Sequence, residues 1–173
     1  MRTIFVAQAL FATFALSVVS FAAFAREERS LTTAAQNFIV KGAEPTLRKC
    51  ALPKPRCGDA KLLGNENLPG ESNDEKRLTR IITFDGLEIA LTIPVMNRHR
   101  YLVGKVEISS SKWPVDHGLQ VGQLQNRVVD VLGLPTTEAG NCIQYFNEIS
   151  QSSVGFCFSS GRIAKILWER WID

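Results

Sequence analysis

The sequence lacks the local patterns that most catalytic and metal sites require. It has only two histidines, His99 and His117, and neither has a second ligand at the H-x-x-x-H or H-x-H spacing that brings two imidazoles to one metal ion. No serine lies in a G-x-S-x-G turn, and no glycine-rich segment has the spacing of a phosphate-binding loop. We therefore expect a protein that is not an enzyme and that has no cofactor and no metal site.

The chain also lacks a strong excess of one charge. Its formal net charge is +3, and no run of basic residues is present. Binding to nucleic acid or to an anionic membrane surface depends on such runs. We therefore expect neither nucleic acid nor membrane as a partner.

Residues 1–25 have the pattern of a cleaved secretory signal peptide. Arg2 is their only charged residue, an apolar run extends from Ile4 to Phe24, and the segment ends in the tripeptide AFA. A short basic start, an apolar stretch and an A-x-A end are typical of such a leader. The alternative is an uncleaved anchor, since the run is almost long enough to span a bilayer. We expect cleavage, a periplasmic or secreted location, and no stable membrane span in the mature chain.

All four cysteines lie in the mature part of the chain: Cys50, Cys57, Cys142 and Cys157. An even number of cysteines in an oxidising compartment indicates two disulfides. Three pairings are possible, and the spacing favours Cys50 with Cys57 and Cys142 with Cys157. Four free thiols or a metal site are the alternatives, although the sequence has no C-x-x-C pair.

The mature chain is expected to be one domain, with an N-terminal segment at 26–70 and a β-rich segment at 71–173. A short helix is predicted over 31–41, because apolar residues recur on one helical face and Gly42 follows. Residues 44–70 contain four prolines and two cysteines. We predict a loop there, stapled by the first disulfide.

The dipeptide Asp85-Gly86 predicts a β-hairpin, because D-G between alternating apolar residues is typical of a two-residue turn. This turn sets Phe84 opposite Leu87, and the apolar side chains of both strands then share one face. Three strands are expected, at 79–84, 87–93 and 101–109. In the third strand, one set of side chains alternates with another: Leu102, Gly104, Val106 and Ile108 against Val103, Lys105 and Glu107. Glu88 and Glu107 are then expected near Lys105 on the outer face of the sheet, where cross-strand charge pairs are common. The three strands form a first meander.

A second meander is predicted after an amphipathic helix. The helix has an apolar stripe and ends at Gly133; its stripe consists of Leu124, Val128, Val131 and Leu132. Strands are expected at 141–146, 154–159 and 163–171. Pairing Cys142 with Cys157 sets Ile143 opposite Phe156, so the disulfide and the hydrophobic pattern agree on one register. The predicted fold class is α+β, an antiparallel sheet of two three-stranded meanders with one or two short helices packed on one face.

The segment GLQVGQLQNRVVDVLGLP, together with the later hairpin VGFCFSSGRIAKI, resembles the helix-then-strands unit of the β-lactamase-inhibitor-protein-like and BamE/SmpA-like extracytoplasmic families. The resemblance covers residues 79–171. It implies a non-enzymatic domain that binds another protein across a sheet face or through loops, and it transfers no specific binding residue. The chain lacks the cysteine at the cleavage site that is expected for the BamE group, and its first unit has no clear copy of the helix.

Five residues are candidates for partner binding. Arg98, His99 and Arg100 belong to a loop that we expect to be exposed. Trp113 is either a lid on the core or an exposed anchor. Trp171 is expected on the outer face of its strand. The five candidates are Arg98, His99, Arg100, Trp113 and Trp171.

The strand that contains Trp171 has two faces. Trp168 has the parity of Ile166 and is predicted to complete the core, which places Ile163 and Leu167 on the outer face. Such an outer apolar patch either binds a partner or is covered by the N-terminal segment.

These patterns favour an extracytoplasmic protein-binding module. An inhibitor or immunity-type partner of an envelope enzyme is the form we expect. The alternatives are a structural or assembly factor of the envelope and, from another class, a small hydrolase.

The leader gives a direct prediction. When the full chain is produced in a Gram-negative host, the exported protein should begin at Arg26, because the A-x-A end lies immediately before it. Intact-mass measurement and N-terminal sequencing of the exported protein check this. An exported chain that retains Met1 to Ala25 would instead support the anchor.

Overall fold

The computed structural model describes residues 30–50, 57–58, 60–69, 77–94 and 100–170. The predicted signal peptide, Arg98, His99 and Trp171 lie outside these residues. Within the described part, no helix is both long and apolar enough to cross a membrane. The helices are α1 Thr33–Lys41, α2 Glu44–Lys49 and α3 Gln125–Leu132, with a 3-10 helix at Asp116–Gly118. The strands are β1 Leu62–Pro69, β2 Arg77–Phe84, β3 Leu87–Pro94, β4 Leu102–Ile108, β5 Thr137–Ala139, β6 Cys142–Asn147, β7 Ser152–Ser159 and β8 Arg162–Arg170.

The strands form one antiparallel sheet in the order β1-β2-β3-β4-β8-β7-β6-β5. The two predicted meanders, β2–β4 and β6–β8, are joined by pairing of β4 with β8. The sheet is larger than predicted, because β1 and β5 extend it at its two edges. Helices α1 and α3 contact each other, and α1 also packs on β6 and β7. The predicted α+β class is therefore confirmed.

The first meander has the predicted hairpin register. Phe84 pairs with Leu87, and both are buried. The expected alternation of β4 is wrong at its start, because a bulge shifts the register between Ala90 and Leu91 of β3. As a result Leu102 is 49% exposed, and Val103 packs against the core instead.

The second meander has the predicted disulfide register. Cys142 pairs with Cys157 across β6 and β7, and the two form a disulfide. Trp168 is buried as predicted, but the outward placement of Ile163 is wrong, since this side chain is only 1% exposed. The cause is a bulge, in which Ala164 is an extra residue of β8. The residues of β8 that precede Ala164 therefore point to the opposite face from the one that simple alternation predicts.

The N-terminal segment contains more regular structure than predicted. Helix α1 forms where expected, but the predicted loop at 44–70 is wrong, because it includes α2 and β1. Pro45 lies in the first turn of α2, where a missing N–H costs nothing, and Pro69 ends an edge strand. Cys50 and Cys57 form the predicted disulfide. Along the chain, α1 precedes β1–β4, and α3 precedes β5–β8.

The start of α1 is held against the end of α3. The hydroxyl of Thr32 accepts a hydrogen bond from the amide of Ala35 and donates one of 2.6 Å to the carbonyl of Leu132. The hydroxyl of Tyr145 donates to the carbonyl of Gly133 at 2.8 Å. Gly133 has φ 82° and ψ −166°, a conformation that only glycine adopts without strain.

Gly133→Ala should lower the free energy of unfolding by about 3 kcal/mol. The added Cβ would lie 2.6 Å from Cγ2 of Thr32, in addition to the backbone strain. Gly140→Ala is the matched control, because Gly140 also has positive φ but has open space around it; it should cost about 1 kcal/mol. Urea denaturation of both variants measures the two losses. Equal losses would contradict the contact between Thr32 and Gly133.

Candidate functional site

The sheet face opposite α1 and α3 is the largest candidate binding surface. Alternation along each strand places one set of side chains on this face, and the strand registers align that set across the sheet. We call this surface the outer face. Its central residues are half-buried apart from the exposed Glu169; they are Thr83, Glu88, Ala90, Lys105, Glu107, Gly155, Lys165, Leu167 and Glu169.

Two ammonium groups and two carboxylates form a continuous network at the centre of the outer face. Nζ of Lys105 lies 3.0 Å from a carboxylate oxygen of Glu88 and 3.0 Å from one of Glu107. Nζ of Lys165 lies 2.8 Å from the other oxygen of Glu107. The network thus spans β3, β4 and β8 and crosses the line where the two meanders meet.

The network changes the protonation of its central groups. Burial alone would raise the pKa of Glu107, but hydrogen bonds from Lys165 and Lys105, together with their charges, outweigh burial and lower the pKa below its ordinary value of 4.5. Burial alone would lower the pKa of Lys105, and here Glu88 and Glu107 outweigh burial and raise it. Both side chains are therefore charged at neutral pH.

Part of this network is predicted by the sequence. Glu88 and Glu107 are expected near Lys105 on the outer face of the first meander, and they lie there in the structure. Lys165 is not predicted to join them, because it reaches Glu107 only where β8 pairs with β4. The sequence shows a basic residue, Lys165, in the predicted third strand of the second meander. It does not show which residue lies beside Lys165 in the sheet, because that neighbour is set by pairing between distant segments.

Trp113 is not available as a partner-binding anchor. It is 2% exposed, its ring lies 5.9 Å from that of Phe84, and its Nε1 donates to the carbonyl of Asp85 at 2.9 Å. The ammonium group of Lys49 lies 5.4 Å from the ring centroid, within the range of a cation–π interaction. Of the two predicted roles, the lid on the core is therefore the one that the structure supports.

The remaining candidates divide between described and undescribed residues. Arg100 is exposed just before β4, while its predicted neighbours Arg98 and His99 are outside the described ranges, as is Trp171. His117 is exposed and its ring lies 5.9 Å from that of Phe38. In the described ranges, no group of three or more His, Cys, Asp or Glu side chains is placed to hold a metal ion.

The expected cover of the outer face is not formed by the described N-terminal residues. Phe38 of α1 is fully buried, and its ring lies 5.4 Å from that of Trp168 on the helix-bearing side of the sheet. Helix α1 therefore packs on the inner face. Leu167, predicted to lie on the outer face, does lie there, opposite Glu107.

Comparison of the chain with family models, with curated proteins and with solved structures finds no match. The resemblance to the β-lactamase-inhibitor-protein-like and BamE/SmpA-like families stays a prediction from the sequence.

Glu107→Gln should destabilise the protein at pH 7 by up to about 1 kcal/mol, since a partly exposed network contributes little. Because the pKa of Glu107 is lowered on folding, its contribution is present above pH 4.5 and is lost as the pH falls through the lowered value. The stability difference between wild type and variant should therefore shrink below about pH 4.5. Thermal unfolding across the acid range measures this difference.

Glu148→Gln is the control for this experiment. Glu148 is exposed in the turn between β6 and β7 and has no ion pair within the described residues, so its variant should follow the wild type at every pH. If the stability difference between wild type and Glu107→Gln is the same at every pH, the effect of the substitution does not come from ionisation of Glu107.

Proposed function

We propose that the protein is an extracytoplasmic protein-binding module that holds its partner on the outer face of the sheet. The observation that carries this proposal is a sheet of eight strands whose helices pack on one side. An antiparallel sheet that packs on the core with one face commonly has its other face exposed to solvent. Here that other face is broad enough to serve as an interface.

The size of the outer face matches one side of a protein–protein interface. Eight strands at a spacing of about 4.8 Å span about 34 Å, and strands of about seven residues extend about 24 Å. The product is about 800 Å², which is close to the area that each partner contributes to a standard-size complex.

The chemistry of the face favours a partner with polar, complementary groups over a strongly charged one. Lys105 and Lys165 are balanced by Glu88 and Glu107, and all four are held in place by ion pairs. Pre-ordered side chains lose less entropy on association. Short residues beside the network, such as Ala90 and Gly155, leave room for side chains of a partner.

Two further observations support the proposal. The disulfides Cys50–Cys57 and Cys142–Cys157 suit an oxidising compartment outside the cytoplasm. The resemblance to the inhibitor-like and BamE/SmpA-like families implies protein binding across a sheet face. The form we propose is an inhibitor or immunity-type partner of an envelope enzyme, and the alternative is an assembly factor of the envelope.

Capture of a partner by matched variants tests the proposal. The tagged protein, with both disulfides formed, is used to retain proteins from extract of its own envelope, and mass spectrometry identifies them. Ala90→Arg and Leu167→Arg should each reduce retention of the same partner by about tenfold or more, because a bulky charge would lie in the middle of the contact.

The control is Ile149→Arg, at a turn position that is 98% exposed and lies at the end of the sheet. It should retain the partner as the wild type does. Thermal unfolding of all three variants shows whether the fold is preserved. A partner that is retained equally by folded Ala90→Arg and Leu167→Arg would exclude the outer face. Loss of activity in a captured enzyme supports the inhibitor form over the assembly factor.

A further inference from the structure

A second concave site lies on the helix-bearing side of the sheet, beyond the first residue of α3. The turn between β5 and β6 and the turn between β7 and β8 border it. Its lining includes Gln125, Glu138, Asn141, Ile143, Phe158 and Ser160. None of them belongs to the central residues of the outer face.

The size of this cavity fits one side chain. Its volume is about 230 Å³, which is below the ~300–1,000 Å³ of clefts that hold drug-sized ligands. It is nevertheless as large as the volume that roughly seven molecules occupy in liquid water. A long single side chain therefore fits it better than a cofactor does.

The chemistry of the cavity suits a cation on an apolar stem. Ile143 and Phe158 are buried and form an apolar floor. The carboxylate of Glu138 has no hydrogen bond or ion pair within the described part of the chain, although its backbone pairs with β6, and the lining contains no Lys or Arg. Asn141 donates through Nδ2 to the carbonyl of Phe158 at 2.6 Å, which leaves its Oδ1 as an acceptor. The cavity thus holds one carboxylate and one further acceptor, Oδ1 of Asn141.

The charge of Glu138 also acts on the neighbouring core. Burial, and then the charge of Glu138, raise the pKa of Tyr145 to about 12. The charge of the Glu138 carboxylate therefore acts on the nearby hydroxyl group of Tyr145.

The strand that contains Glu138 is also available for pairing. Strand β5 is exposed at all three of its residues, and among the described residues it pairs with β6 alone. An extended segment added along its other side would place one residue directly opposite Glu138, with the two Cβ atoms about 5 Å apart. At that position an oppositely charged residue is favoured.

We propose that this cavity binds an arginine side chain from an extended segment of a partner protein that pairs along β5. Arginine fits better than lysine, because its planar guanidinium donates two parallel hydrogen bonds to a carboxylate and is more weakly hydrated. Its methylene groups cover the apolar floor. This site is separate from the outer face, and it stands or fails independently of the proposed function.

The test uses a capped tripeptide, acetyl-threonine-arginine-threonine-amide, whose flanking residues favour an extended chain. The matched probe replaces arginine with citrulline, which has nearly the same shape without the charge. Each peptide is titrated into the isotope-labelled protein and followed through backbone amide resonances. The arginine peptide should bind with a Kd of about 1 mM, as expected for so small a contact. Its shifts should be confined to β5 and to the two turns of the cavity.

The citrulline peptide should bind about fivefold more weakly, the difference expected for one exposed charge pair. Glu138→Gln should reduce the affinity for the arginine peptide by the same factor, while Glu148→Gln should leave it unchanged. Equal affinity for the two peptides, unchanged affinity in folded Glu138→Gln, or shifts outside the cavity and β5 would each overturn the proposal.

Discussion

The pairing of β4 with β8 is the constraint on which the rest of the structure depends. It consists of four residue pairs, from Lys105 with Glu169 to Ile108 with Ile166, and it is the contact that joins the two meanders into one sheet. The other meander pairings join strands that are adjacent in sequence. Closing a long loop costs entropy before any contact is gained. We therefore expect this pairing to be the late and costly step of folding, stabilised by what packs on its two sides.

Both sides of this pairing are occupied. On the inner side the paired apolar residues are buried: Val106, Ile108, Ile166 and Trp168. The indole N–H of Trp168 also donates to the carbonyl of Phe38 at 3.2 Å, so α1 is attached to the same place. On the outer side the network of Lys105, Glu107 and Lys165 crosses the pairing. One set of strand contacts thus orders the core, one helix and the centre of the candidate binding face.

The parts of the fold that the sequence predicts correctly are set by neighbouring residues. The turn at Asp85-Gly86 fixes the register of its hairpin, and the Cys142–Cys157 bridge fixes the register of another. The errors at Leu102 and Ile163 arise from two bulges, each of which adds one residue and reverses side-chain parity. Nothing in an alternating pattern announces such an extra residue. Helix α2 and strand β1 were missed because their prolines lie at positions that tolerate proline.

The candidate sites were harder to predict than the fold because they form where distant segments meet. Glu88 and Lys105 belong to one meander and were placed correctly, whereas Lys165 comes from the other. The cavity beside Glu138 needs α3, β5 and two turns in place at once. Trp113 was ambiguous for the same reason, since its burial depends on the turn at Asp85. Local patterns determine the registers of the two hairpins, but the residues of the outer face are brought together by the long-range pairing of β4 with β8. A substitution that weakens that pairing should therefore disturb the outer face before it disturbs either hairpin.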